Sequence, residues 1–97
     1  MTLEELQTLI NRMYSDKDRR RGAAATFMWF SEETGELAAA LREGTKEELG
    51  AEFADVLAWL ITLANISDID LTQEMRKKYG EGCPGCGSLV CTCDSKP

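Results

Sequence analysis

The sequence contains no histidine among its 97 residues, and no cysteine before Cys83. These absences exclude Ser-His-Asp and Cys-His nucleophilic sites, and they leave a di-iron or di-manganese bundle without its usual Glu-x-x-His motifs. Also missing is a run of ~18 apolar residues, the length that a transmembrane helix needs. The start, MTLEELQ, is acidic and amphipathic, unlike a signal peptide. We therefore expect no membrane span and a cytoplasmic location, where clustered cysteines favour metal binding.

Positive charge is scarce as well, since 11 Lys and Arg residues stand against 17 Asp and Glu residues, for a net charge of −6. Because nucleic-acid-binding domains present basic surfaces, we expect no general nucleic-acid binding. The densest positive charge is the run from Arg19 to Arg21, in the charged segment 15–22. Arginine offers a planar fork that matches phosphate oxygens, so Arg21 is a candidate phosphate ligand on a mobile segment. The alternative is a solvated loop or a frayed helix end.

Apolar residues recur at helical spacing through the first 80 residues, and no stretch shows the alternation of a strand. Thr2, Thr45 and Asp70 are candidate N-caps, and Gly44 and Gly80 are candidate stops. The pattern predicts an all-α fold of about four helices, at residues 2–14, 23–42, 45–66 and 71–80. The very short link between the second and third helices makes them antiparallel neighbours.

The chain divides into a helical domain at residues 1–80 and a short cysteine-rich tail at residues 81–97. A domain of this size buries a modest share of its surface and is marginally stable alone. Several of its helices are apolar on more than one side, which indicates burial against another subunit. We therefore predict a homo-oligomer, either a dimer or a tetramer, whose partner chains complete the helical bundle.

Two acidic pairs interrupt apolar helix faces: Glu33 with Glu36, and Glu52 with Asp55. The i,i+3 spacing directs both carboxylates of a pair to the same side of a helix, and the hairpin brings the two pairs together. Four carboxylates at such a seam repel one another and lose solvation, so they need a positively charged partner. A hard divalent cation, Mg²⁺ or Mn²⁺, suits an all-oxygen site and also binds phosphate chains.

Three further residues have an open interpretation. Trp59 lies one turn after Asp55, and it is either a stacking surface for a base or a core residue. Trp29 lies one turn before Glu33 and has the same two interpretations, with the core favoured. Asn65 is a candidate for a hydrogen bond to a sugar or base, although an asparagine near a helix end is commonly a cap.

The segments EETGEL at residues 32–37 and EFADVLAWL at residues 52–60 resemble the MazG-like nucleotide pyrophosphohydrolases. That family carries EExxE on one helix and ExxD on the next, which correspond here to EETGE and EFAD. The resemblance covers about residues 1–80 and implies an all-α enzyme. Its implied reaction is hydrolysis of a nucleoside triphosphate between the α and β phosphorus atoms. The products are a monophosphate and pyrophosphate, and the role is removal of non-standard or surplus nucleotides.

The resemblance also implies roles for single residues. The expected Mg²⁺ ligands are Glu33, Glu36, Glu52 and Asp55. Either Glu33 or Glu36 is expected to accept the proton of the attacking water. Glu32 matches the remaining acid of the motif and would orient water or a metal ligand, unless it is simply exposed. Lys78 matches a lysine that relatives place near the phosphates, although it also suits the end of a helix dipole. In relatives a neighbouring subunit completes the site.

The tail carries the spacing C-x2-C-x4-C-x-C. Its residues are Cys83, Cys86, Cys91 and Cys93. The CPGCG half resembles a zinc-knuckle turn, and four thiolates suit a closed, structural Zn²⁺ site. The C-T-C half is tighter than the usual spacing, so disulfides, free thiols and an iron–sulfur cluster stay open as alternatives.

The leading hypothesis is therefore a Mg²⁺-dependent nucleoside triphosphate pyrophosphohydrolase. One alternative is a non-catalytic helical interaction module with a zinc-binding tail, although such a module has no need of four acids at this spacing. Another alternative within the same superfamily is hydrolysis of phosphoribosyl-ATP, which the MazG-like motif makes less favoured.

Overall fold

The computed structural model describes residues 1–95, so Lys96 and Pro97 of the predicted tail lie outside it. Over that range the protein is all-α, as predicted, with four helices and no strand. The helices are α1 (Leu3–Arg21), α2 (Ala23–Glu43), α3 (Lys46–Ile66) and α4 (Leu71–Tyr79). Turns follow α4 and bring the cysteines together.

Helix α1 begins at the predicted cap. The Thr2 hydroxyl accepts the N–H of Glu5 at 3.0 Å, and the Glu5 carboxylate accepts the N–H of Thr2 at 3.1 Å. The predicted end near Tyr14 is wrong, because the helix continues through the charged segment to Arg21. Gly22 then ends it with a φ of 84°, a left-handed conformation that glycine adopts readily.

Ion pairs rather than apolar spacing hold the last turns of α1. The Asp18 carboxylate accepts from Arg21, one turn later, at 3.0 Å. Arg19 donates to the Asp68 carboxylate at 3.2 Å and to the backbone oxygen of Asn65 at 3.3 Å. The segment 15–22, predicted as a connection, is therefore helical up to its final glycine, and these contacts tie it to the bundle.

Helices α2 and α3 form a tight hairpin and share the most extensive packing in the molecule. Only Gly44 and Thr45 connect them, as predicted. A Cβ on Gly44 would lie 2.9 Å from the backbone of Ala40, so the turn requires glycine for this close approach. The Thr45 hydroxyl accepts the N–H of Glu48 at 3.2 Å, which confirms the cap. The Glu48 carboxylate in turn accepts from the Thr45 hydroxyl, at 3.2 Å.

A polar bridge joins α1 to the end of α3 and the start of α4. The Gln7 amide donates to Asn65 Oδ1 at 3.1 Å and to the Ile69 carbonyl at 2.7 Å. It also accepts the N–H of Leu71 at 3.0 Å. Leu71 is the first residue of α4 and Ile69 lies in the link before it, so one glutamine pairs backbone groups that lie outside the helical hydrogen bonds.

Helix α4 is short and lies at the margin of the fold. Asp70 caps it, as predicted, by accepting the N–H of Gln73 at 3.1 Å, and the helix ends before Gly80. It packs mainly on α1 and buries no residue of its own.

The core of the single chain is thin. Among residues 1–95 the buried apolar side chains are Ile10, Ile61 and Ala64. Large apolar side chains on α2 and α3 are exposed instead, namely Phe27, Met28, Trp29, Leu41, Phe53, Leu57 and Leu60. Helix α3 is also long and apolar enough to cross a membrane by length and composition alone, with a mean hydropathy of 1.4. Core helices of globular proteins meet the same criterion, so it is weak evidence for a membrane span.

Candidate metal and nucleotide site

The α2–α3 hairpin brings together acidic residues from both predicted pairs. Carboxylate oxygens of Glu33, Glu36 and Glu52 all lie within 4.8 Å of one another. Glu33 and Glu36 are one turn apart on α2, and Glu52 lies on α3. We refer to these three residues as the acidic cluster. Three of the four predicted metal ligands therefore meet within one chain.

Among residues 1–95 no Lys or Arg forms an ion pair with the acidic cluster. Burial raises the pKa of Glu33 and Glu52, and the nearby charges of Glu36 and Asp55 raise both pKa values further. Oε2 of Glu33 and Oε2 of Glu52 are sheltered from solvent and have no hydrogen-bond partner among residues 1–95. The ion pairs within that range all lie elsewhere. Crowded carboxylates in this state fit a hard divalent cation, which takes oxygen ligands.

Asp55, the fourth predicted ligand, lies one turn after Glu52 on α3 but outside the 4.8 Å group. Its side chain is exposed, and it is close enough to raise the pKa of Glu33 and Glu52. Asp55 also borders a cavity of about 260 Å³ that residues of α1 and α3 line. The acidic cluster and this cavity are therefore neighbours, joined at Asp55.

Arg21 and Trp59 form one wall of that cavity. The Arg21 guanidinium donates to the Asp18 carboxylate at 3.0 Å and to the Thr26 hydroxyl at 3.3 Å. Its central carbon, Cζ, lies 4.9 Å from the centre of the Trp59 ring. Trp59 stacks in turn on Trp29, with ring centres 6.2 Å apart and planes inclined by 15°. Trp29, favoured as a core residue, is exposed in the chain. Two predicted substrate residues, Arg21 and Trp59, thus lie together beside the acidic cluster.

Residues 21–86 match the family model of the MazG nucleotide pyrophosphohydrolase domain. The chain belongs to the MazG nucleotide pyrophosphohydrolase family. The match includes both halves of the acidic motif, and it confirms the resemblance that the sequence shows. Membership of the MazG family implies a nucleotide as substrate. A comparison with curated proteins gave no match.

The other predicted site residues are not among the three acids of the cluster in this MazG domain. Glu32 is exposed on α2, so its expected role stays a prediction. Asn65 already uses both side-chain groups, since Oδ1 accepts from Gln7 and Nδ2 donates to the Gln7 carbonyl at 3.4 Å. Lys78 is exposed on α4, with its ammonium 5.7 Å from the Tyr79 ring centre. Asn65 is thus a structural bridge between helices.

Two residues that hold the Arg21 side chain in place were not predicted from the sequence. Asp18 is 3% exposed and Thr26 is fully buried, and both hold the Arg21 guanidinium. Oδ2 of Asp18 has no hydrogen-bond partner within residues 1–95. The i,i+3 spacing of Asp18 and Arg21 is a signal only on a helix, and residues 15–22 are predicted to be a charged connection.

The tail of the chain gathers its four cysteines at a second place. One sulfur from each of Cys83, Cys86, Cys91 and Cys93 lies within 4.8 Å of the others, and all four are free. We refer to them as the cysteine cluster, and such a cluster can bind a metal ion. Hydrogen bonds from Thr92 lower the pKa of the Cys86 thiol to about 5, and those from Cys93 lower the pKa of Cys91.

Proposed function

We propose that this chain is a Mg²⁺-dependent nucleoside triphosphate pyrophosphohydrolase that cleaves between the α and β phosphates. The observation that carries the proposal is the acidic cluster, with sheltered oxygens on Glu33 and Glu52 that lack a partner within residues 1–95. Membership of the MazG family supports the same conclusion, since the family is one of nucleotide pyrophosphohydrolases. The products are a nucleoside monophosphate and pyrophosphate.

We assign a role to each carboxylate in or beside the acidic cluster. Glu33, Glu36 and Glu52 would hold Mg²⁺ (or Mn²⁺), and Asp55 would join them from the next turn of α3. When bound, the metal neutralises the triphosphate and acidifies the attacking water. Glu33 and Glu36 are the carboxylates that we assign to accept the proton of that water. The sequence holds no histidine that could take this role. Glu32, one position before Glu33, would orient the water from outside the cluster.

The cavity beside Asp55 is the place that we propose for the nucleoside. Trp59 lines this cavity with Arg21 and Trp29 against its ring, and we propose that the base contacts the indole there while Arg21 adds a positive charge toward the phosphates. Asn65 is not part of this proposal, because its side chain is bonded to Gln7. Lys78 is exposed on α4, and its contact with the phosphates stays a prediction.

A homo-oligomer, either a dimer or a tetramer, is the second part of the proposal. The single chain leaves large apolar side chains of α2 and α3 exposed while burying very few. Covering such a surface with a second copy is favourable at roughly 25 cal/mol per Å² of apolar area. We propose a cytoplasmic protein of nucleotide-pool control that acts on non-standard or surplus nucleotides.

The experiment is an assay of pyrophosphate release from a panel of NTPs and dNTPs, with and without Mg²⁺, for the native chain and Glu36→Gln. We expect metal-dependent release of pyrophosphate that Glu36→Gln abolishes. The matched control is Glu47→Gln, an exposed acid of α3 outside the cluster, which should keep the activity. Release of orthophosphate, or no release from any nucleotide by a folded oligomer, would contradict the proposal. The second result would favour the interaction module.

A further inference from the structure

The four sulfurs of the cysteine cluster lie at distances that suit a single bound metal ion. The structure places Cys83 Sγ 3.6 Å from Cys91 Sγ and 3.9 Å from Cys93 Sγ. A tetrahedral Zn²⁺ with Zn–S bonds of about 2.3 Å sets its sulfurs about 3.8 Å apart. The observed separations match the edge of a tetrahedron around a single ion. Because all four sulfurs lie within 4.8 Å of one another, they enclose too little space for a cluster of several iron atoms.

Backbone N–H groups point at the sulfurs. Gly85 donates to Cys83 Sγ at 3.4 Å, Thr92 to Cys86 Sγ at 3.3 Å and Cys93 to Cys91 Sγ at 3.3 Å. Such donors stabilise sulfur that carries negative charge, which is the ligand form of cysteine. Three of the four sulfurs therefore already have the surroundings of metal-bound thiolates.

The turns around the cysteines are shaped by backbone hydrogen bonds and glycine. Cys83 donates to the Ser88 carbonyl at 2.8 Å, and Gly87 donates to the Cys83 carbonyl at 2.6 Å. Gly82 has a φ of 125°, and a Cβ there would lie 2.7 Å from the Ser88 oxygen. Only glycine fits at this position. Apolar packing contributes little within residues 81–95, since Leu89 is 92% exposed and Val90 is 80% exposed.

The tail meets the end of α4. Gly82 donates to the Tyr79 carbonyl at 3.2 Å, and Arg76, Lys77 and Lys78 line a cavity together with Cys83. A Zn²⁺ with four thiolates carries a net charge of −2, so the basic end of α4 complements it. Helix α4 buries no residue of its own, and a metal-closed turn would fix its C-terminal end.

We propose that Cys83, Cys86, Cys91 and Cys93 bind one structural Zn²⁺ per chain, which orders residues 81–95 and anchors the end of α4. On binding, the thiols release their protons to solvent and the sulfurs form four Zn–S bonds, with no redox change. The family match ends at Cys86, the last residue of the first C-x2-C, so Cys91 and Cys93 lie beyond the matched domain. All four positions are filled by protein, which suits a structural rather than a catalytic zinc.

The test is metal analysis of the full-length chain after zinc reconstitution and gel filtration, followed by cobalt substitution. We expect one zinc per chain and, with Co²⁺, the intense thiolate-to-metal absorption and the visible bands of a tetrahedral S₄ site. Cys86→Ser and Cys93→Ser should each weaken zinc binding at least tenfold, while Ser95→Ala, an exposed residue outside the cluster, should not. Glu52→Gln should also keep the zinc, because its carboxylate belongs to the acidic cluster.

Hydrogen exchange supplies a readout that does not depend on affinity. Zinc removal should speed exchange at residues 76–95 and leave α2 and α3 unchanged, and far-UV circular dichroism should show that the cysteine variants keep their helices. Four thiols that react freely in the presence of zinc would overturn the proposal. So would zinc that persists in both cysteine variants, or iron in place of zinc in the native chain.

Discussion

The Arg21 guanidinium lies 4.9 Å from the centre of the Trp59 ring, at the border between α1 and α3. Asp18 and Thr26 fix the guanidinium from behind, and Trp29 stacks on the tryptophan. The contact therefore joins the end of α1 and the first turns of α2 to the second half of α3, beside the carboxylates of the site. A cation over a partly desolvated indole is worth about 0.5–2 kcal/mol.

Removing the buried carboxylate behind Arg21 should destabilise the fold. Asp18→Ala leaves a largely buried guanidinium without its ion-pair partner, and we expect a loss of about 1–3 kcal/mol in the free energy of unfolding. Urea denaturation followed by circular dichroism measures this. Asp16→Ala, an exposed acid on the same helix, should change the value by no more than about 0.5 kcal/mol. Equal effects of the two substitutions would show that the Asp18–Arg21 pair contributes nothing.

Trp59 should contribute to nucleotide affinity through its ring. Trp59→Ala should raise KM for the preferred nucleotide by about 10-fold or more, since stacking of a base on an aromatic side chain is worth about 1–3 kcal/mol. Trp59→Phe retains an aromatic face and should recover most of the loss. Steady-state kinetics with pyrophosphate detection distinguish the two. If alanine and phenylalanine reduced kcat equally and left KM unchanged, Trp59 would not be a base-stacking residue.

Glu52→Gln should have opposite effects on stability and on activity. The substitution removes the negative charge of Glu52, whose pKa is raised by burial and by the nearby charges of Glu36 and Asp55. In EDTA we expect the midpoint of thermal unfolding to increase by a few degrees, while metal-dependent turnover is lost. Differential scanning fluorimetry and the pyrophosphate assay measure the two effects. Glu47→Gln is the control, because it lies on the same helix outside the cluster.

In Mg²⁺ the native chain should become more stable than the Glu52→Gln chain, the reverse of the order expected in EDTA. The metal binds the folded chain and raises its unfolding midpoint in a concentration-dependent way, whereas the Glu52→Gln chain should respond much less. Equal stabilisation of both chains by Mg²⁺ would show that the metal binds somewhere other than the acidic cluster.

The exposed apolar surface of α3 should hold the oligomer together. Phe53→Arg or Leu57→Asp places a charge on that surface and should shift the protein toward monomers in sedimentation-velocity or light-scattering measurements. Leu89→Asp is the matched control, because Leu89 is exposed in the tail, away from the helices. An unchanged oligomer in both α3 variants would place the interface elsewhere.

Local sequence signals predicted most of the helix boundaries. Thr2, Thr45 and Asp70 cap helices as expected, because a side-chain oxygen next to a free backbone N–H is a short-range interaction that neighbouring residues determine. The end of α1 could not be found in this way. Its last turns lack apolar periodicity, and part of their support comes from Asp68, which is far along the chain.

In the candidate site, too, local sequence predicts some features, while others depend on residues that are distant along the chain. The i,i+3 acids and the short turn sufficed to predict that Glu33, Glu36 and Glu52 converge. The role of Asp18 was not predicted, because it depends on the burial of this residue in the fold and on the position of Arg21 over Trp59.

The two-residue turn at Gly44 and Thr45 has a consequence for how this site can change. Each residue of an α-helix advances the direction of its side chains by about 100°. One residue inserted into the turn, and absorbed by α3, would rotate Glu52 away from Glu33 and Glu36 without altering any of the three. Surface turns ordinarily tolerate changes of length. In this chain the number of residues between the acids therefore constrains the acidic cluster, in addition to the identity of the acids.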